Sequence, residues 1–278
     1  HMPRKNARAM FSTNTARTLL VALLVCLVCS VFVAGAAVAL KPTQLENRLL
    51  DKQRSILAIA GLGNPNMPGS AVRAMFETTI QARLVDLEAG KFSDKFDPVT
   101  FEPLAAAKDP ELSRRLSASE DIASIRRLER YTTVYVVEKD GQLDTVILPV
   151  RGYGLWSTLH GFIALKGDLN TVVGMGFYQH AETPGLGGEV DNPKWTGQWP
   201  GKKIFDENGE LKVQVVKGSV NPQSPDAEHQ VDGLAGATLT GNGVDHLLKF
   251  WLGKNGLGPF IANPVSYTHL TLPTTPYV

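Results

Sequence analysis

Residues 232–244, DGLAGATLTGNGV, set Thr238 and Thr240 among glycines and alanines, directly ahead of an apolar-faced segment. A plain turn needs one or two glycines, and this stretch holds four. The start of a helix leaves its first N–H groups unpaired and carries the positive end of the dipole, so it attracts phosphate. Glycine lets such a group approach the backbone closely. Thr240, nearer the helix, suits an N-cap. That leaves Thr238 to cap, to touch a ligand, or to carry one.

Two further glycine-rich stretches accompany it, RGYGLWSTLHG at 151–161 and HAETPGLGGEV at 180–190. Composition alone reads the first as a strand end and turn with Trp156 buried. The second reads as a loop with Pro184-Gly185 at the centre of a turn. It also offers clustered N–H groups, the Glu182 carboxylate and the Thr183 hydroxyl, which suit a polar heterocycle. Neither stretch is a dinucleotide fingerprint or a phosphate loop ending in Gly-Lys-Ser/Thr. The six histidines form no metal-spaced pair, and no G-x-S-x-G elbow is present. Hydrolase and metalloenzyme chemistry therefore lack support. A net charge of +1 supplies no basic field for nucleic acid.

The elements that must position these stretches are of two kinds. From Pro42 to about residue 130 the pattern is helical. Leu45, Leu49, Leu50, Ile56, Leu57 and Ile59 recur at three- and four-residue spacings. Residues 71–88 and 111–129 read as amphipathic helices, and 64–70 as a loop. Strands begin at Tyr131. YTTVYVV and LDTVILPV flank Asp140-Gly141 in a hairpin pattern, and 169–180 and 211–216 are further strands. Gly174 and Gly176 suggest a bulge or a close backbone approach. Val244, Leu247, Leu248 and Trp251 form the stripe of a closing helix, with Gly253 as its stop. The fold class expected is α+β, a mostly antiparallel sheet with flanking helices.

Ahead of this domain, Thr18 to Leu40 has no charged residue across 23 positions. At 1.5 Å per residue the run reaches about 34 Å, enough for the ~30 Å hydrocarbon core. Arg4, Lys5, Arg8 and Arg17 precede it, and Lys41 alone follows closely. The positive-inside rule puts the N-terminus in the cytoplasm and the domain outside. The rival is a cleaved signal peptide, with small-residue sites at Ala34-Gly35-Ala36 and Ala37-Val38-Ala39. The apolar run exceeds the usual h-region, which favours a retained anchor. Cys26 and Cys29 lie inside the span and read as small apolar residues, because a metal site there needs a second thiol pair from a partner. The expected organisation is a cytoplasmic N-terminus at 1–17, a transmembrane helix at 18–40, a helical connecting region at 41–130, the ligand-binding domain at 131–262 and a tail at 263–278. The opening His1-Met2 reads as a cloning remnant and the Thr/Pro-rich tail as foreign.

Three motifs together then carry a resemblance. DGLAGAT (232–238) resembles the flavinylation signature Asp-x-x-Ser/Thr-Gly-Ala-Thr, in which a flavin transferase joins FMN through its phosphate to the final threonine. GYGLWSTLHGFIALKGDLNTVVGMGFYQHAETPGLGGEVDNPKW is similar to the FMN-binding domain of the NqrC family, which belongs to the sodium-translocating NADH:quinone oxidoreductase. A single N-terminal span before an exported domain matches that family too. The resemblance covers residues 15 to about 262. It implies covalent FMN on Thr238, with Trp156, Ser157 and Thr158 on one side of the isoalloxazine and Glu182, Thr183, Leu186 and Gly187 on the other. Leu234, Gly236 and Thr240 flank the phosphate and ribityl chain. Ala235 stands where the signature has Ser or Thr; if that hydroxyl assists the transferase, modification is less efficient.

The resemblance implies a membrane-anchored electron carrier in a sodium-pumping complex of six subunits, relaying electrons from NADH toward ubiquinone. Its FMN domain lies on the periplasmic side of the bacterial inner membrane, and a flavin transferase matures it. A single span without an intramembrane carboxylate is not itself the sodium path. One alternative is the flavin protein of the related ferredoxin-dependent electron-transport complex. The stretches LWSTLHGFIAL and EVDNPKW favour the former. The other is an exported scaffold whose threonine turn merely caps a helix, which would be colourless.

Overall fold

The computed structural model describes residues 13–64 and 66–263. The expected readings of Arg4, Lys5 and Arg8 and of the tail from 264 onward lie outside these residues. Two compact units divide at Leu49/Leu50. The first is the greater part of α1 (Thr13–Ile59), whose apolar residues from Leu19 to Leu40 are exposed along the helix. Among the described residues this is the one helix long and apolar enough to cross a membrane. It continues through Pro42, so the segments at 18–40 and 45–59 are one element.

The second unit holds a six-stranded antiparallel sheet. In chain order the elements after α1 are α2 (Gly69–Thr79), β1 (Gln81–Asp86), β2 (Lys91–Phe92), α3 (Pro103–Ala106), β3 (Ser113–Arg115), β4 (Arg127–Glu129) and β5 (Tyr131–Lys139). There follow β6 (Gln142–Tyr153), β7 (Thr158–Lys166), β8 (Val172–Gln179), α4 (Pro193–Thr196), β9 (Gln214–Val215), β10 (Gln230–Val231), α5 (Thr238–Trp251) and α6 (Gly258–Ile261). The sheet order is β2-β1-β5-β6-β7-β8. Asp140 and Gly141 both take positive φ, as a two-residue hairpin turn between β5 and β6 requires.

The central strands are apolar on both faces because each face has its own cover. Val134, Val136, Val146, Leu148, Leu159 and Ile163 join one core with Val244, Leu247, Leu248 and Trp251 of α5. The alternate residues Tyr135, Val137, Ile147, Phe162 and Ala164 join a second core with Ile56, Leu57 and Ile59 from the end of α1 and Val72 of α2. Gly174 meets this helix end closely: a Cβ there would stand 2.5 Å from the Ile59 carbonyl oxygen. The pairing of β7 with β8 shifts register at Ala164/Leu165 and His160/Gly161, so the expectation of bulging and close approach holds.

Three expectations are corrected. Residues 71–88 are not one helix: α2 ends at Thr79, and 81–86 pair with β5 along their full length. The β-branched run Thr78-Thr79-Ile80 turns the chain to extended geometry, with Ile80 at φ −104°. Residues 111–129 are likewise not helical but a hairpin of β3 and β4 around turns. The Asp121 carboxylate accepts from the Ile125 and Arg126 N–H groups at 2.8 Å, and the Glu120 carboxylate from Ser117 N–H at 3.0 Å. These side-chain acceptors displace the helical ladder. Of the strand expected at 211–216, only 214–215 forms, in parallel with β10.

Candidate functional site

Three loops meet at one end of the sheet. The turn Tyr153–Ser157 joins β6 to β7, the segment 180–187 leaves β8, and 232–237 leads into α5. Glu182 joins all three. Its carboxylate accepts from the N–H groups of Leu155 (3.2 Å), Trp156 (3.0 Å) and Ser157 (3.1 Å). It also accepts from the hydroxyls of Ser157 (3.1 Å) and Thr240 (2.8 Å). The residue is 5% exposed. Burial opposes its ionisation, but the Thr240 hydroxyl and the three N–H groups outweigh it and hold the carboxyl below its ordinary range. Successive N–H groups aimed at one oxygen form an anion nest.

The neighbours allow this crowding only as glycines. A Cβ on Gly154 would lie 2.7 Å from Glu182 Oε1, and one on Gly187 would lie 2.5 Å from Thr240 Oγ1. One on Gly243 would meet the Tyr153 carbonyl oxygen at 2.5 Å, so α5 rests directly on the turn. Glu182 N–H donates to His180 Nδ1 at 3.2 Å, which leaves the ring proton on Nε2, donated to Asp191 Oδ2 at 2.7 Å.

Thr238 is the first residue of α5 and is exposed. The N-cap is Ala237, with no side-chain cap and no acidic residue in the first turn. The expected capping role of Thr240 is therefore corrected: its hydroxyl is fully buried and turned to Glu182. The buried Trp156 read from composition is corrected as well. Trp156 is 67% exposed, because its own N–H is drawn inward to Glu182 and its ring is left outside. Leu186 and Leu239 are exposed as well, and Leu186 Cδ2 lies 3.3 Å from where a Gly236 Cβ would be.

The structure thus brings together Trp156, Ser157, Glu182, Leu186, Gly187, Gly236 and Thr240 by direct contact. Thr158 opens β7, Thr183 is exposed and its carbonyl accepts from Leu186 and Gly188, and Leu234 is buried. Asp232 faces elsewhere: its carboxylate accepts from Val220 N–H at 2.7 Å and its carbonyl from Trp195 Nε1 at 2.8 Å. Sequence reasoning missed Gly154, Gly243 and the His180–Asp191 pair; the glycines alone carried a signal. A cavity of about 700 Å³ beside Asp168, Phe205, Lys254 and Pro259 has no lining residue from the three loops. No cluster suited to a metal occurs among the described residues.

An uncapped helix start beside an exposed hydroxyl can hold a phosphate, and the exposed Trp156, Leu186 and Leu239 can hold a flat apolar ring. The profile of the FMN-binding domain family matches residues 154–253, which run from this turn through α5. The NqrC protein of the Na(+)-translocating NADH-quinone reductase of Pseudomonas aeruginosa is 72% identical over 250 residues, covering 90% of this chain and 96% of its own. That of Yersinia pestis is 51% identical over 246 residues, covering 88% and 91%. The crystal structure of Shewanella oneidensis NqrC is similar with a TM-score of 0.68 at 35% identity, over 76% of this chain and 94% of that one. The corresponding crystal structure from Parabacteroides distasonis gives 0.62 at 30% identity, over 81% and 98%.

Proposed function

From the premise that this chain belongs to the NqrC family of the Na(+)-translocating NADH-quinone reductase, we propose that it carries FMN esterified to Thr238. Its role is to relay electrons from NADH toward ubiquinone within that complex of six subunits. The observation that carries this reading is the meeting of the three loops at Glu182 and Thr240 in the first turn of α5, a helix whose uncapped start exposes Thr238. FMN, when bound, supplies reversible electron uptake; the chain supplies attachment, orientation and surroundings.

A threonine hydroxyl is a poor nucleophile near neutral pH, and no basic side chain stands in hydrogen-bond contact with Thr238 among the described residues. An external flavin transferase therefore provides the base. The Thr238 oxygen would bond to the phosphorus of a nucleotide-activated flavin phosphate as the P–O bond to the departing nucleotide breaks, with the transferase base taking the hydroxyl proton. The free N–H groups of the α5 start face the remaining negative charge. Trp156, Ser157 and Thr158 would line one side of the ring, with Thr183, Leu186 and Gly187 on the other, while the Glu182 carboxylate stays bonded to the Trp156–Ser157 turn. Leu234, Gly236 and Thr240 flank the phosphate and ribityl chain. Thr240 contributes backbone there, its hydroxyl being committed to Glu182. The α1 helix anchors the chain as a single span, N-terminus in the cytoplasm and FMN domain in the periplasm.

The test is co-expression with a flavin transferase, followed by intact mass, fluorescence of the denatured protein and fragment mapping. The adduct is expected on Thr238, absent from Thr238→Ala and retained in Thr240→Val. Unmodified protein alongside an active transferase, or an adduct mapped to another residue, would refute the assignment.

A further inference from the structure

Glu182 is grouped by resemblance with the residues that line the ring, yet its hydrogen bonding points to a different task. A carboxylate offers about four acceptor sites. Three backbone N–H groups and two hydroxyls already converge on this one, so its capacity is used up by the protein itself. No cationic side chain pairs with it among the described residues. The bonds it accepts span the turn after β6 and the first turn of α5, elements 58 residues from Glu182 in one case and 25–27 in the other.

We propose that Glu182 is a positioning residue, which acts on the flavin through the turn it holds and the fixed negative charge it buries. The proposal rests on the function argued above. Within the turn itself, Gly154 N–H donates to the Ser157 carbonyl at 2.8 Å, which closes the turn but does not attach it to α5. Ala181 N–H donates to Ser157 Oγ at 2.8 Å, so the same carboxylate also steadies the exit from β8. With Glu182 in place, the Trp156 ring is presented outward before any cofactor arrives. The buried charge, balanced only by dipoles, disfavours the gain of negative charge by a ring beside it and so keeps the flavin's potential low.

The experiment uses the full-length protein in detergent, prepared without and with the transferase, as wild type, Glu182→Gln and Glu182→Asp. Without flavin, hydrogen exchange at the Leu155, Trp156 and Ser157 amides is measured against the β5–β6 amides. With flavin, the FMN midpoint potential is measured by spectroelectrochemical titration. Hydrogen bonds to an ionised acceptor are about twice as strong as neutral ones. Glu182→Gln is therefore expected to speed exchange in the turn by roughly tenfold, leave β5–β6 unchanged and raise the potential. Glu182→Asp keeps the charge but falls short of its partners, so exchange quickens while the potential stays below that of Glu182→Gln. A Glu182→Gln variant that matches the wild type in exchange without flavin and in potential with it overturns the proposal alone. A wild type that takes up no flavin overturns the function reading, and this proposal with it.

Discussion

Replacing Arg151 by Met removes the cation facing Glu129 and loosens the seat of α5. Arg151 Nη1 donates to Glu129 Oε1 at 2.6 Å and Nη2 to Oε2, with the Glu129 side chain 0% exposed. The guanidinium carbon stands 5.1 Å from the Trp251 ring centre, and Trp251 Nε1 donates to the Arg151 carbonyl at 2.7 Å. Truncating one partner leaves a buried carboxylate without its counter-charge, which costs ~3–5 kcal/mol. For a domain of this size that is a fall in melting temperature of roughly 6–20 °C. The assay is thermal unfolding of the full chain in detergent at pH 7, followed by circular dichroism. The double variant Glu129→Leu/Arg151→Met replaces the pair with apolar volume and is expected to recover most of the loss. A second reading comes from His160, whose pKa burial, and then the charge of Arg151, hold down to about 4. In Arg151→Met the His160 imidazole, followed by NMR, should titrate higher, though still below 6.5 because burial remains. A single variant that melts within about 2 °C of wild type, or a double variant no better than the single, would refute the reasoning.

Other outcomes are open to direct measurement. Because His160 is held neutral in the fold, the unfolded chain gains a proton first as pH falls. Its stabilising contribution is full above pH 6.5 and lost between 6.5 and about 4, and His160→Gln should flatten the stability profile in that window. Helix propensity alone would let Gly243→Ala gain about 1 kcal/mol. Its Cβ would stand 2.5 Å from the Tyr153 carbonyl oxygen, so a net loss of ~1–3 kcal/mol and a lower adduct yield are expected instead. Ala235 is exposed, so Ala235→Ser should leave the melting temperature within about 1 °C while raising the rate of flavin attachment, read by in-gel fluorescence.

What could be read from the chain follows physical locality. The Asp140-Gly141 hairpin and the Val244–Trp251 stripe are local patterns, and both stand as expected. β1 was hidden because QARLVD owes its strand to β5, some fifty residues on, and its own spacing also fits a helix. β7 was obscured by the glycine at 161, whose missing side chain makes room for the Gly176 carbonyl oxygen. At the site, the three loops were recognisable by their glycines and by family resemblance. The Glu182 hub was not, since one carboxylate among twenty-seven acidic residues reveals its bonds only when distant segments meet.

The last turns of α1 have a practical consequence for anyone who wants this domain free of lipid. Ile56 and Leu57 are as deeply interior as any strand residue, lying over Tyr135, Ile147 and Phe162. A truncation placed after residue 59, where the apolar helix ends, would remove Ile56, Leu57 and Ile59 from one side of the sheet, leave α2 to cover it and yield a sticky, aggregating product. A water-soluble version should instead begin within the polar stretch that follows Pro42, keeping residues 50–60 as part of its own interior.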